Sequence, residues 1–415
     1  MAMDRACRKR PSRLRAEGPL APYLGPYAEY LAERGYSQIS FWKKTYLINA
    51  FSRWLDREGL PVNEITGDRE EAFLRDRAKT RCLKPGDHTA LSDLRNWLGE
   101  NGVIACKPIA TDETSPVELL LQDYCAYLKD DRGLAVPTIE NYAGCARRFL
   151  MNTSGGAEQP LACVKASQIA NYIRRNARPD RTFSMGKQVV TALRSFFRFA
   201  RYRGYIHDDL AAAVPSVAGW SMASIPRAMP ADSVRALLTA SKGWRTPAGL
   251  RNRTILLLLA RLGLRAGEVV RLELADIDWS EGSLSVHGKG RVERPLPLPY
   301  DVGEAMAAYL ERVRPESTCR RVFLRSRAPF DGLRSHSDIC QIVARAIRRS
   351  GIELASTGAH QLRHALAVDM LRQGASLTDI GQVLRHRSPE ATRRYAKVDL
   401  EALREVALPW PGELP

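Results

Sequence analysis

The stretch AHQLRHALAVDMLRQG, residues 359–374, holds the densest chemistry of the chain. Helical spacing puts His360 and Arg363, three residues apart, on one face. Leu362 and Leu366 lie beside that face, four apart, and are expected to pack inward. Gly374 supplies the stop that suits a helix C-terminus. The expected element is a helix over 359–373 carrying an imidazole and a guanidinium side by side. His364 follows His360 by four residues, a spacing that can also hold a metal. No Glu of the H-E-x-x-H kind stands between them and no third ligand is apparent, so no metal is expected and His364 reads as helix packing.

Downstream, 377–384 reads as a short helix with Ile380, Val383 and Leu384 on one side. Leu384-Arg-His386-Arg-Ser388 brings a further histidine, and Ser388-Pro389 opens the last helix, with Ser as N-cap and Pro at the first helical position. Tyr395 stands nine residues after His386. Upstream, the apolar run Ile255 to Ala260 reads as a buried helix, followed by Gly263-Leu-Arg265-Ala-Gly-Glu268. Ser283 to His287 alternates like a strand, Gly288-Lys289-Gly290 turns it, and Val292 to Leu298 returns.

The order Arg265, Lys289, His360-x-x-Arg363, His386, Tyr395 resembles the catalytic domain of the tyrosine recombinases, the phage-integrase family, over about 229–400. That resemblance implies strand breakage and rejoining through a 3′-phosphotyrosyl intermediate. Breaking a phosphodiester without a metal needs a nucleophile, neutralisation of the phosphorane and an acid for the leaving oxygen. By resemblance Tyr395 is the nucleophile, Arg265 and Arg363 fork onto the non-bridging oxygens, and His386 donates to the same oxygens. Lys289 protonates the leaving 5′-hydroxyl, and His360 assists proton transfer at Tyr395. Glu268 reads as a structural partner. The family's Leu-Gly-His is Leu384-Arg385-His386 here, so Arg385 either crowds the turn or adds a phosphate contact.

Linkers at 108–116 and 207–228 separate the catalytic module, 229–399, from two helical modules, 21–107 and 115–206. The helical modules read as copies. Tyr27-Ala-Glu-Tyr-Leu31 recurs as Tyr124-Cys-Ala-Tyr-Leu128, Arg34-Gly35 as Arg132-Gly133, and Phe51 as Phe149. Leu94-Arg-Asn-Trp97 recurs as Leu193-Arg-Ser-Phe196, and Gly102 as Gly204. A domain-length period points to duplication rather than a solenoid. The second module resembles the family's core-binding domain, and the first a further copy. The expected fold is mainly α: two tandem helical, SAM-like domains, then an α+β catalytic domain with a small β-hairpin or sheet. A basic tail, 1–20, precedes them.

The 415 residues carry a net charge of +17, which suggests nucleic acid as partner. The charge is uneven. Residues 21–107 hold 13 basic and 12 acidic side chains, 115–206 hold 14 and seven, and 229–400 hold 28 and 18. The DNA surface is therefore expected on the second and third modules, with Arg174, Arg175, Arg178, Arg181, Arg291 and Arg294 as candidate contacts. The eight cysteines form no C-x-x-C pair, and the longest apolar run is far too short to span a membrane. A cytoplasmic, nucleoid-associated protein is expected, with no cofactor, no metal and no membrane partner. Its expected partner is a double-stranded recombination site, bound as a homotetramer, with other recombinases as further partners and a mobile element as the setting. The apolar tail Leu400, Leu403, Val406, Leu408 and Trp410 is expected to dock on a neighbouring protomer. Two other readings compete with this one: a relaxing type IB topoisomerase, and a non-catalytic DNA-binding accessory protein.

Overall fold

The computed structural model describes residues 17–104, 115–153, 161, 164–176, 183–216, 228–287, 293–354, 356–386 and 388–396. The tail beyond 396, and with it the expected docking segment, lies outside the described residues, as do Arg178, Arg181, Lys289 and Arg291. The chain divides into two compact units. One combines the segment before residue 107 with the segment after 223, and the other is 107–223.

The first unit opens with a four-helix bundle: α1 (Ala21–Glu33), α2 (Gln38–Arg57), α3 (Gly67–Ala78) and α4 (Asp87–Glu100). Ser37 starts α2 by accepting a hydrogen bond from the Ser40 N–H, which relieves one of the unpaired donors at the helix start. The core gathers Tyr27, Leu31, Ile48, Phe51, Leu55, Leu94 and Leu98. The second unit repeats this plan with α5 (Pro116–Ala126), α6 (Val136–Thr153), α7 (Ala166–Asn176) and α8 (Phe183–Tyr202), and a π-turn, Tyr127–Asp131, closes α5. Ser115 caps α5, with Pro116 at its first position, where the missing N–H costs nothing. Its core holds Tyr124, Leu128, Phe149, Leu193, Phe196 and Phe197.

The C-terminal part of the first unit is built around α10 (Pro247–Arg261), whose run Ile255–Leu259 is buried on every side. A helix apolar all round belongs at the centre of its domain. α9 (Ala231–Ser241), α12 (Tyr300–Arg312), α13 (His336–Arg349) and α14 (His360–Arg372) surround it. The sheet is β1 (Ile277–Asp278), β2 (Ser283–His287) and β3 (Glu293–Pro297), antiparallel in that order. Its register sets Leu284 opposite Leu296 and Val286 opposite Arg294, with Leu284 and Val286 facing the core. Pro295 and Pro297 fit β3 because it is an edge strand. Three short helices, α11 (Ala266–Arg271), α15 (Leu377–Val383) and α16 (Pro389–Arg393), carry or flank the site. The expected cap of α16 differs in detail. Ser388 takes the N-cap position with Pro389 after it, but its hydroxyl accepts no capping hydrogen bond. Among the described residues no helix is long and apolar enough to cross a membrane.

Candidate active site

Gly263, just beyond the end of α10, has a φ of +56°, in the region glycine adopts without strain. A Cβ there would sit 2.7 Å from the Leu384 side chain and 3.0 Å from that of Leu366. This close approach brings the end of α10 against α14 and the end of α15. Arg265 follows at the N-cap of α11. Its Nη1 donates to Glu268 Oε1 at 2.7 Å, and its backbone N–H donates to Glu268 Oε2 at 2.8 Å. Burial alone would raise the Glu268 carboxyl. The hydrogen bonds from Arg265 and the charge of Arg385 outweigh it, and the group is held below its ordinary value. Glu268 is thus an ionised holder of Arg265, in keeping with its expected structural part.

Arg363 is 1% exposed. It donates to the carbonyls of Gly263 and Leu384, so it spans the same two chain ends that Gly263 brings together. Burial, then the charges of Arg265 and Arg385, pull it down to about 9, and it stays charged at neutral pH. Leu362 is fully buried, and Leu366 packs with Leu384 and Tyr395, so both leucines point inward as their spacing suggested.

Tyr395 is 1% exposed. Its hydroxyl lies 2.6 Å from His364 Nδ1. The reading of His364 as plain helix packing is therefore corrected, because it is the imidazole bonded to the tyrosine. His360 instead meets the His364 ring edge-on, at 4.5 Å between centroids. The sequence held a signal for this: on an α-helix the residue after Arg363 faces wherever His360 does, one turn on. His386 lies 6.3 Å from the Tyr395 ring and nearly parallel to it, with Nδ1 2.6 Å from Thr392 Oγ1. Burial, then neighbouring cationic and histidine groups, lower His364 and His386 to about 4 each. His360 is lowered too, by burial and then by the charges of Arg363, Arg394 and Arg265. All three are neutral at pH 7. Burial raises the Tyr395 phenol, while Arg363, Arg394 and Arg265 work against the rise.

Arg265, His360, Arg363, His386 and Tyr395 are thus gathered at one place from α11, α14 and the segment on either side of α16. Lys289 falls between β2 and β3 in the sequence, outside the described residues. Of the candidate DNA contacts, Arg174 and Arg175 are exposed in the last turn of α7, and Arg294 lies on β3. One feature has no counterpart among the sequence expectations. Arg194, Arg198 and Arg201 on α8 line a concavity of about 590 Å³ in the second unit, together with Tyr202 and Asp209. Their i, i+4, i+7 spacing was the available signal.

The chain is similar to known proteins in sequence and fold. Residues 227–401 match the model of the phage integrase family, and 121–204 match that of the phage integrase N-terminal SAM-like domain. The chain is 46% identical to y4rA of Sinorhizobium fredii, over 96% of both chains. It is 32% identical to the tyrosine recombinase XerD of Mycobacterium tuberculosis, over 72% of this chain and 97% of XerD. Among solved structures, a post-cleavage complex of the XerH site-specific recombinase shares the fold at a TM-score of 0.55 and 18% identity, over 83% of this chain and 97% of that one. A lambda integrase tetramer bound to a Holliday junction does so at 0.52 and 19%, over 74% and 86%. The clustered arginines, the buried tyrosine and these relatives agree: the chain belongs to the phage integrase family of tyrosine recombinases.

Proposed function

We propose that this protein is a site-specific DNA recombinase that cuts and rejoins strands through a covalent bond to Tyr395. The observation that carries the reading is the convergence of a buried tyrosine, two always-charged guanidiniums and neutral imidazoles. The Tyr395 oxygen attacks phosphorus, the bond from phosphorus to the 5′-oxygen breaks, and a 3′-phosphotyrosyl ester keeps the bond energy. The phenol proton passes to the imidazole pair, with His364 the bonded member and His360 behind it. Arg265 and Arg363 neutralise the charge that builds on the non-bridging oxygens, and neutral His386 donates to them. Lys289, between β2 and β3 in the sequence, protonates the departing 5′-hydroxyl. Side chains supply every proton that this step moves.

The partner is a double-stranded recombination site, held through phosphate contacts from the second unit and from the catalytic module. A relative that stands as a tetramer on a Holliday junction supports the same assembly here, and the setting is a mobile element. A nicked suicide substrate carrying the cognate site tests the reading. The wild-type protein is expected to form a covalent protein–DNA adduct, and Tyr395→Phe none. DNA binding without any adduct would instead favour a non-catalytic accessory protein.

A further inference from the structure

Arg385 is the one non-glycine residue with a positive φ, +53°, among the described residues. Glycine takes this conformation without cost, whereas a residue with a Cβ is strained there. The side chain of Arg385 turns inward and is 7% exposed. Nη2 lies 3.2 Å from Glu268 Oε2 and 3.4 Å from the Gly263 carbonyl, and Nη1 lies 3.1 Å from the Val383 carbonyl and 3.5 Å from that of Leu262. Its own carbonyl accepts from Arg265 Nη2 at 3.3 Å.

A strained backbone and a buried charge both work against folding, and a simple turn would be better served by glycine. What the arginine adds is a set of links. Glu268 is the carboxylate that holds Arg265, and Arg385 grips its second oxygen. The Gly263 carbonyl is an acceptor for Arg363, and Arg385 reaches it too. Arg265 and Arg363 therefore each share an anchor with Arg385. Two guanidiniums, Arg265 and Arg385, pair with the one carboxylate of Glu268, while Arg363 beside them is held by backbone carbonyls, which leaves an excess of positive charge. Charge fixed in this way acts strongly on an anion and need not reorganise when the anion arrives.

We infer that Arg385 is a positioning residue for the phosphate-binding pair: it locks Glu268 and the 262–263 turn so that Arg265 and Arg363 present their remaining donors to the scissile phosphate. It does not itself reach the phosphate, which decides between the two roles its sequence position left open. The inference rests on the recombinase reading above.

The test measures single-turnover cleavage of the nicked suicide substrate at saturating DNA, together with binding and thermal midpoint. Arg385→Gly is expected to bind DNA like the wild type and to melt no lower, since the backbone strain is relieved. Its cleavage rate should fall about 10-fold to 100-fold, the scale of a small misplacement in an active site. Arg385→Asn, which also tolerates the left-handed backbone, serves in its place if the glycine variant is unstable. Arg385→Lys should recover part of the rate. Because Arg385 acts in part through Arg265, the loss on adding Arg385→Gly to Arg265→Ala should be smaller than the product of the two single losses. Wild-type cleavage by a folded, DNA-binding variant would overturn the inference, and so would losses that multiply in the double variant. Absence of a Tyr395-dependent adduct from the wild type would instead overturn the recombinase reading.

Discussion

The two helical bundles share a core and differ in what surrounds it. Tyr27 meets Trp97 edge-on at 5.3 Å between ring centroids, and Tyr124 meets Phe196 in the same way at 5.2 Å. Leu31 and Leu128 are fully buried, as are Phe51 and Phe149. Gly35 and Gly133 both end a turn with positive φ. Outside the core the likeness stops. Arg95 donates to the buried carboxylate of Glu70, whereas its counterpart Arg194 donates to the Val214 carbonyl and the Ser216 hydroxyl, neutral oxygens that leave its charge in place. A Cβ at Gly35 would lie 2.5 Å from the Phe330 ring of the catalytic module, whereas nothing lies within 4 Å of one at Gly133. One bundle pairs this arginine internally and meets protein at Gly35. The other leaves this arginine on neutral oxygens and has open space at Gly133. A shared core therefore says little about shared use, because burial constrains apolar positions far more tightly than exposed ones.

The largest effect tests the likeness. Phe51→Ala and Phe149→Ala should each cost about 3–5 kcal/mol, the usual range for a buried phenylalanine. Urea unfolding measures both, and a cost in one bundle only would break the equivalence. The next test separates them. Gly35→Ala adds a clash with Phe330 to the strain of a positive φ, and should cost about 1–3 kcal/mol more than Gly133→Ala. Equal losses in thermal unfolding would show that packing against Phe330 contributes nothing.

Acid should then single out the catalytic module. His364 and His386 titrate near 4 in the folded chain, below the ~6.5 of an unfolded histidine. The unfolded chain binds more protons between those values, so the stabilisation is complete above about pH 6.5 and falls as pH drops toward 4. His88 and His207, in the two bundles, are exposed. Hydrogen exchange on the full chain should show α14 and α15 losing protection across that window before the bundles do. The smallest effect concerns salt. Replacing Arg174, Arg175 and Arg198 by Ala should lower the salt slope of DNA binding by about 0.9 for each phosphate no longer neutralised. Replacing Arg53 and Arg57 of the first bundle should leave the slope nearly unchanged, and an equal drop would place that bundle on DNA as well.

Much of the site is legible in the sequence because its residues sit at short, regular spacings. His360 and Arg363 lie on one helix, and Tyr395 follows His386 closely. Their neighbours are less legible. His364 reads as packing because period alone cannot tell a core-facing imidazole from one that bonds a residue 31 positions away. The arginine stripe on α8 is hidden by the aromatic residues interleaved with it.

The sequence by itself determined the helical character, the order of bundles and catalytic motifs, the paired cores and the set of chemical groups. Those follow from periodicity, breaker residues and residue type, all properties of near neighbours along the chain. Only the tertiary structure decided which imidazole meets Tyr395, which way Arg385 turns, and that Gly35 but not Gly133 lies against another side chain. Each of those depends on residues far apart in sequence that meet through packing, and no local pattern records which of them touch.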